Sequence, residues 1–280
     1  MKGDLPRELS QWMKIQEETS EINTASVDLS VIVPAYNEYL RLPSALMEMI
    51  DYLDRAVQNE ALTSYEIVVV DDGSRDRTSD IVTKFERIRP QVRLIRLPVN
   101  SGKGHAVRLG VLNSRGVTVL FADADGATPF NEYEKLKAAL TEGYDVAVGS
   151  RAAYSKDTKV KTLWYRKAMG RIFNLAVNLF ILPDIADTQC GFKMMHSSAA
   201  HFLFAKQKSS RFSFDVEILY IARRVALKVK EVPVNWTNVP GSKVNLIMDS
   251  LRMFRDIFVF YFRHRRLTPS DFPAKAALKS

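Results

Sequence analysis

Cysteine and long apolar runs are nearly absent from this sequence, and each absence excludes a class of protein. Cys190 is the only cysteine, so no intrachain disulfide can form and we expect a reducing compartment. The longest uncharged apolar run, residues 172–183, contains two asparagines and is far shorter than the about 20 residues that a spanning helix needs. The N-terminal residues lack the apolar core of a signal peptide, which argues against secretion by that route.

Acidic residues are scarce in one half of the chain only. Residues 1–150 contain 17 basic and 23 acidic residues, whereas residues 151–280 contain 23 basic and only 9 acidic residues. The first half therefore has a net charge of −6 and the second half one of +14. Such an excess favours an anionic partner for the second half, which would be nucleic acid, a membrane surface or a phosphorylated substrate.

From residue 29 onward, short apolar runs alternate with amphipathic stretches. The predicted strands are 29–33, 67–70, 92–97 and 117–121, and the predicted helices are 40–57, 77–88 and 106–114. This alternation predicts an α/β fold with a mostly parallel sheet covered by helices on both faces. We divide the chain into a polar N-terminal arm (1–28), one α/β domain (29–245) and a C-terminal amphipathic helix with a basic tail (246–280).

Two stretches in the basic half have the spacing of amphipathic helices. Residues 164–181 are apolar apart from a narrow polar stripe. Residues 247–262 place Ile247, Leu251, Phe254, Phe258 and Tyr261 on one helical face, and a basic cluster at 263–266 follows. Such helices are compatible with packing on the sheet or with binding at an anionic membrane interface.

Acidic turns follow three of the predicted strands. They are Pro34-Ala35-Tyr36-Asn37-Glu38, Asp71-Asp72-Gly73-Ser74 and Asp123-Ala124-Asp125-Gly126. A single acidic turn is most simply a helix N-cap, but three of them at one edge of a parallel sheet indicate a ligand site. Asp123 and Asp125 are suited to Mg²⁺ or Mn²⁺, which prefer oxygen ligands and share them with substrate phosphates. With Tyr36 available for stacking on a base, the turns predict a nucleotide-diphosphate pocket.

Other phosphate-binding motifs do not fit. No G-x-G-x-x-G sequence follows the first strand, and residues 101–105 lack two positions of a P-loop. The Gly102-Lys103-Gly104 segment nevertheless places a cation and flexible backbone just before a helix, where an anion can bind.

The motif set resembles that of inverting family 2 glycosyltransferases of the GT-A fold. Besides the three turns, it includes Asn100–Gly104, Val148–Arg151, Asp187–Lys193, Phe214–Glu217 and Pro240–Val244. Within that family it is similar to the dolichyl-phosphate β-glucosyltransferase branch, with the dolichyl-phosphate mannose synthases as near relatives. The resemblance covers residues 29–250 and implies a Rossmann-like GT-A domain with C-terminal interface helices.

The resemblance also implies a function. It is the transfer of a hexose, glucose from UDP-glucose, to a polyprenyl phosphate with inversion, by an enzyme bound peripherally to the cytosolic face of a membrane. The residues that match nucleotide-sugar motifs are Pro34, Ala35, Tyr36, Glu38, Val70, Asp72, Lys103, Asp123 and Ala124. Metal would be held by Asp125 and Asp123, catalysis would involve Asp125, Asp187 and Arg151, and Arg151, Lys193 and Lys243 would bind the lipid phosphate.

Two departures from the mannose synthase pattern favour the glucosyl branch. Ala127 stands where that pattern has a metal-binding Gln, and Thr237-Asn238 occupy the stretch where it has an Arg. Three alternatives remain at this point: a GDP-mannose-dependent polyprenyl-phosphate mannosyltransferase, a soluble family 2 enzyme with a hydroxyl acceptor, and a basic nucleic-acid-binding module. We expect no nucleic acid partner, because no recognition motif of such a module is present. The oligomeric state is left open.

Overall fold

A computed structural model describes residues 26–153, 158–161, 177, 182–183, 185–239 and 246–273 of the chain. Three predictions lie outside these residues: the N-terminal arm except for its last three residues, the helix over 164–181 except for Val177, and Lys243. The last residues of the basic tail, 274–280, are also outside them.

The described elements alternate as the sequence predicts. The strands are β1 (Val27–Ala35), β2 (Tyr65–Asp71), β3 (Val92–Arg96), β4 (Gly116–Ala122), β5 (Val146–Ser150), β6 (Val160–Lys161), β7 (Phe192–His196), β8 (Val229–Pro233) and β9 (Trp236–Thr237). The helices are α1 (Leu42–Gln58), α2 (Thr78–Ile88), α3 (Lys103–Leu112), α4 (Tyr133–Thr141), α5 (Ser197–Lys206), α6 (Phe214–Arg224) and α7 (Leu246–His264). Helix α3 begins three residues before its predicted start, because the chain turns into it at Gly102, whose φ is +100°.

Seven strands form one sheet in the order β3-β2-β1-β4-β7-β5-β8. Every neighbouring pair is parallel except the two that involve β7, which runs antiparallel to both β4 and β5. The predicted mostly parallel α/β sheet is therefore confirmed. A separate two-stranded sheet pairs β6 with β9.

The sheet is buried on both faces, as the unbroken apolar strands predict. Successive residues of β2 alternate between two cores: Val68 and Val70 pack with residues of α3, α5, α6 and α7, and Ile67 and Val69 pack with residues of α1, α2 and α4. Because both faces are filled by helices, the loops beyond the strand ends are the part of this sheet left for a ligand.

Candidate active site

The order of the strands reverses between β1 and β4, and the candidate site lies at this point. In the sheet, β2 and β3 lie on one side of β1, and β4 lies on the other side of β1. The loops after β1, β2, β3 and β4 meet at the carboxyl edge, where ligands of open α/β sheets bind. The three acidic turns predicted from the sequence all lie here.

The loops after β1 and β2 are tied to each other by side-chain hydrogen bonds. The backbone N–H of Asn37, a residue in the left-handed region with φ of 52°, donates to Ser74 Oγ at 2.8 Å, and Asn37 Oδ1 accepts the N–H of Arg75 at 2.8 Å. The N–H of Glu38 donates to Thr78 Oγ1 at 2.8 Å. These bonds fix the loop that contains Tyr36 and Glu38.

Arg41 connects this loop to the acidic turn after β4. Its guanidinium donates to both oxygens of Glu38, at 2.7 and 2.5 Å, and its Nη1 lies 3.7 Å from Asp125 Oδ2. Sequence reasoning missed Arg41. Its position three residues after Glu38, at the start of α1, was the available signal, since such a pair faces the same side of a helical turn.

Asp72 organises the loop that precedes α3. Its two carboxylate oxygens accept the N–H groups of Ser101 and Gly102 at 2.6 and 2.8 Å. The side chain is buried, and burial raises the pKa of Asp72 to about 6, although these two hydrogen bonds lower it. In the structure Asp72 therefore shapes the Lys103 loop, in addition to any contact it makes with a nucleotide.

Lys103 and Asp123 form an ion pair between the first turn of α3 and the end of β4, with Nζ 2.5 Å from Oδ1. Burial lowers the pKa of Lys103, but the carboxylates of Asp123 and Asp215 outweigh it and raise the pKa above its usual value. Gly191, just before β7, makes room for this pair: a Cβ at Gly191 would lie 2.5 Å from Asp123 Oδ1 and closer still to Oδ2.

The surroundings of Asp125 disfavour its ionised form, although Arg41 and the N–H of Ala127 lie close to it. Burial raises its pKa above the usual value, and the charge of Asp123 raises it further. Within the described ranges, no group of three or more His, Cys, Asp or Glu side chains is arranged to hold a metal ion by itself. Two carboxylates at a strand end nevertheless fit Mg²⁺ or Mn²⁺, which commonly take one or two carboxylates and complete their shell with water and substrate phosphates.

Arg151 and Asp187 form the second charged pair of the site. Arg151 follows β5, and its Nε and Nη2 donate to the two oxygens of Asp187 at 2.7 and 2.8 Å, while its backbone N–H donates to Oδ2 at 2.9 Å. Burial raises the pKa of Asp187, but the charge and hydrogen bonds of Arg151 outweigh it and keep the pKa below its usual value. An ionised carboxylate that accepts two hydrogen bonds from one guanidinium is a weak base, and it holds the guanidinium firmly in position.

Comparisons with known proteins identify the family of this chain. The model of the glycosyl transferase family 2 matches residues 30–204. The chain belongs to glycosyltransferase family 2. It is 40% identical over 250 residues to the dolichyl-phosphate beta-glucosyltransferase of Drosophila melanogaster, covering 86% of this chain and 77% of that one. It is 38% identical over 261 residues to the dolichyl-phosphate beta-glucosyltransferase of Homo sapiens, covering 90% and 81%.

Solved structures show the same fold at low identity. The glucosyl-3-phosphoglycerate synthase of Mycobacterium tuberculosis, solved with Mg²⁺ and UDP, has a TM-score of 0.58 at 18% identity and covers 90% of this chain and 83% of that one. The mannosyl-3-phosphoglycerate synthase of Rubrobacter xylanophilus has a TM-score of 0.60 at 14% identity, covering 91% and 77%. The GT-A fold predicted from the motifs is thereby confirmed.

One predicted residue of the glycosyltransferase site occupies a different environment. Lys193 was predicted to bind lipid phosphate, but its side chain is fully buried on β7 and pairs with Asp215 at the start of α6. Its Nζ also donates to the carbonyl of Cys190 at 2.6 Å. A buried ammonium with these partners does not reach a lipid at the surface, so we correct the prediction: Lys193 is an internal ion-pair partner of Asp215.

The remaining predicted nucleotide-binding residues surround the carboxyl edge. The side chain of Val70 lies in the core, so any contact it makes with a nucleotide is through its main chain. Pro34, Ala35 and Ala124 are buried at or next to strand ends. Tyr36 is half-buried, which leaves part of its side chain accessible at the edge.

Helix α7 presents apolar side chains on two faces. Met253, Ile257 and Phe260 are buried in the core, as expected for a helix packed on the sheet. The opposite face exposes Phe254, Phe258, Tyr261 and Phe262, with exposed fractions of 42%, 41%, 46% and 61%. None of the described helices is long and apolar enough to cross a membrane.

Proposed function

We propose that this glycosyltransferase moves a hexose, glucose from UDP-glucose, onto the phosphate of a dolichyl-type polyprenol, with inversion at the anomeric carbon. The observation that carries the proposal is the pairing of two acidic and two basic groups at one sheet edge, Lys103 with Asp123 and Arg151 with Asp187. The relatives named dolichyl-phosphate beta-glucosyltransferase support the sugar and the acceptor.

The state of Asp187 favours a phosphate acceptor over a hydroxyl. A hydroxyl nucleophile needs a base to remove its proton, whereas a phosphate monoester is already anionic near neutral pH. Asp187 is poorly suited to act as that base, because its two oxygens bind Arg151 and its pKa lies below the usual range. What a phosphate acceptor needs is a cation, and the guanidinium of Arg151, held in place by Asp187 and 31% exposed, can provide it.

The donor end of the site needs positive charge near the diphosphate. Lys103 supplies an ammonium at the start of α3, where the helix dipole also favours an anion. Asp125 and Asp123 would hold the Mg²⁺ or Mn²⁺, and the bound ion would neutralise charge on the diphosphate. Glu38 and Arg41 connect the β1 loop to Asp125 and keep these groups oriented before the substrate arrives.

The exposed aromatic face of α7 suits the surface of an anionic membrane. Arg265 and Arg266 are exposed beside it, and the guanidinium of Arg265 lies 5.4 Å from the ring centroid of Phe262. Aromatic rings enter the interface while cations are attracted by anionic lipids. A protein that binds the membrane in this way reaches a lipid phosphate without a spanning helix, and the cytosolic face is the proposed side.

Product formation tests the proposed reaction directly. Purified protein is incubated with UDP-glucose, other UDP-sugars or GDP-mannose, and with a short polyprenyl phosphate or the corresponding polyprenol, with and without Mg²⁺ or Mn²⁺. We expect a glucosylated lipid phosphate from UDP-glucose that requires the metal ion. A product from GDP-mannose alone would establish the mannosyl alternative, and a product on the polyprenol would establish the hydroxyl-acceptor alternative.

Vesicle cosedimentation tests the membrane surface. Replacing Arg265 and Arg266 with alanine should weaken binding to anionic vesicles by about fivefold per residue, because each cation near such a surface contributes about 1 kcal/mol. Arg87→Ala is the matched control, since this arginine is also exposed but lies on a different helix. Equal binding of all variants, or binding that neutral vesicles match, would refute the assignment of this face.

A further inference from the structure

Glu217 is a buried carboxylate that the proposed reaction does not use. It lies in the first turn of α6 with no exposed surface. Its Oε2 accepts the backbone N–H groups of Lys208 and Ser209 at 3.0 and 2.7 Å, and its Oε1 lies 2.8 Å from His264 Nε2 at the end of α7. Burial raises the pKa of Glu217, but these partners outweigh it and keep the pKa below its usual value.

The segment held by Glu217 packs directly on the Lys103 loop. The carbonyl of Ser210 accepts the N–H of His105 at 3.1 Å. A Cβ at Gly104 would lie 2.5 Å from the carbonyl oxygen of Ser209, and one at Gly102 would overlap that of Ser210. The absence of side chains on both neighbours of Lys103 therefore allows this close backbone contact.

Lys103 is thus held from two sides by buried carboxylates. Asp72 binds the N–H groups of Ser101 and Gly102 on one side. Glu217 fixes the backbone of Lys208 and Ser209 on the other side, and this backbone rests on the loop.

We propose that Glu217 is a positioning residue that fixes Lys103 through the 208–210 segment and links it to the C-terminal end of α7. The proposal rests on the proposed function, in which Lys103 contacts the donor diphosphate and α7 binds the membrane. A change at the end of α7 is thereby coupled to donor binding, and the coupling acts equally in both directions.

Glu217→Gln tests this role with little change in shape. Oε2 of the carboxylate faces the N–H groups of Lys208 and Ser209, and Oε1 faces the His264 ring and the Arg263 guanidinium at 3.4 Å, so a glutamine amide places its NH₂ group against a donor on one of these two sides. Glu66→Gln is the matched control. Glu66 is an equally buried carboxylate that accepts Ser30 Oγ at 2.6 Å and the N–H of Arg115 at 2.7 Å, but it lies at the start of β2, at the opposite edge of the sheet.

Two measurements on the full chain separate positioning from general stability. In hydrogen exchange, the amides of residues 101–106 should exchange about tenfold faster in Glu217→Gln than in the wild type, which is the change expected for one lost charge-assisted hydrogen bond. Their exchange rates should be unchanged in Glu66→Gln. The dissociation constant of UDP should rise by a similar factor only in Glu217→Gln. If Glu217→Gln does not fold, His264→Gln, which leaves the loop-facing oxygen untouched, should give a smaller increase in the same amides.

The outcomes distinguish this proposal from the proposed function. Unchanged exchange at 101–106 in folded Glu217→Gln, or in His264→Gln if the former does not fold, overturns the positioning role. So does an equal increase in Glu66→Gln. If the wild-type protein does not bind UDP, the proposed donor is wrong, and hydrogen exchange still decides whether Glu217 holds the Lys103 loop.

Discussion

Replacing Gly191 with alanine should disable the candidate site while leaving the fold in place. An added Cβ would lie within 2.5 Å of both carboxylate oxygens of Asp123, whereas nonbonded carbon and oxygen atoms approach to about 3.5 Å. The carboxylate must therefore move by about 1 Å or more. Because the backbone bond from Asp123 N–H to the Gly191 carbonyl, at 3.1 Å, holds the main chain, the side chain is what moves, and it leaves Lys103.

The expected effect on turnover is large and the effect on stability is small. A displacement of about 1 Å at a catalytic group can lower the rate about 100-fold, whereas rotating one half-exposed carboxylate costs little folding free energy. We would measure kcat/KM with UDP-glucose and polyprenyl phosphate together with thermal unfolding.

Gly143→Ala is the control for this substitution, and it should lower stability without lowering activity. Gly143 has φ of +93° with nothing within 4 Å of an added Cβ, so alanine there should cost about 1 kcal/mol of stability and no activity. If Gly191→Ala retained wild-type kcat/KM, the Asp123 carboxylate would not be needed in its observed position, and the metal and donor assignments built on it would be wrong.

Three further predictions concern the carboxylates of the site. Asp125→Ala should abolish transfer with an unchanged circular dichroism spectrum, and near-normal turnover would contradict its assignment as a metal ligand. Asp187→Asn should lower the free energy of unfolding by about 2 kcal/mol in chemical denaturation. This is less than the roughly 3–5 kcal/mol for breaking a fully buried pair, because the Arg151 side chain is 31% exposed. Unchanged stability with lost turnover would instead identify Asp187 as a base. Burial raises the pKa of Asp72 from 3.8 to about 6, so the folded chain binds more protons than the unfolded chain between these values and the contribution of Asp72 to stability falls as the pH rises from 3.8 to 6. Below about pH 6 the protonated carboxyl accepts fewer N–H groups, so calorimetry should show weaker UDP-glucose binding with an inflection that Asp72→Asn removes. UDP-glucose is used because it lacks the terminal phosphate of UDP, which titrates at about pH 6.

The sheet and the general location of the site could be predicted from the sequence because both depend on local patterns. Buried parallel strands are continuous apolar runs, and the polar residues that follow them lie at one edge whatever the details of packing. Asp123, Asp125 and Lys103 were therefore identified from the segments that directly follow the strands.

Partnerships between distant residues could not be predicted in this way. Lys193 resembles an available cation in a loop motif, but it lies on β7 and pairs with Asp215, 22 residues away. Glu217 and His264 are separated by 47 residues, and no spacing rule connects them. Only the packing of α6 against β7 and against α7 brings such groups together, and that packing depends on side-chain shape along the whole interface.

The late position of β7 in the chain affects the order in which the site assembles. β4 pairs with β7 through Ala122 and Phe192. About 70 further residues must therefore be synthesised before the end of β4 can pair with β7. During synthesis, β1 to β4 can pair as soon as they emerge, whereas the pocket around Asp123 closes only after Gly191 has arrived. Fragments that end before β7 should therefore contain all three acidic turns but should not form the complete site.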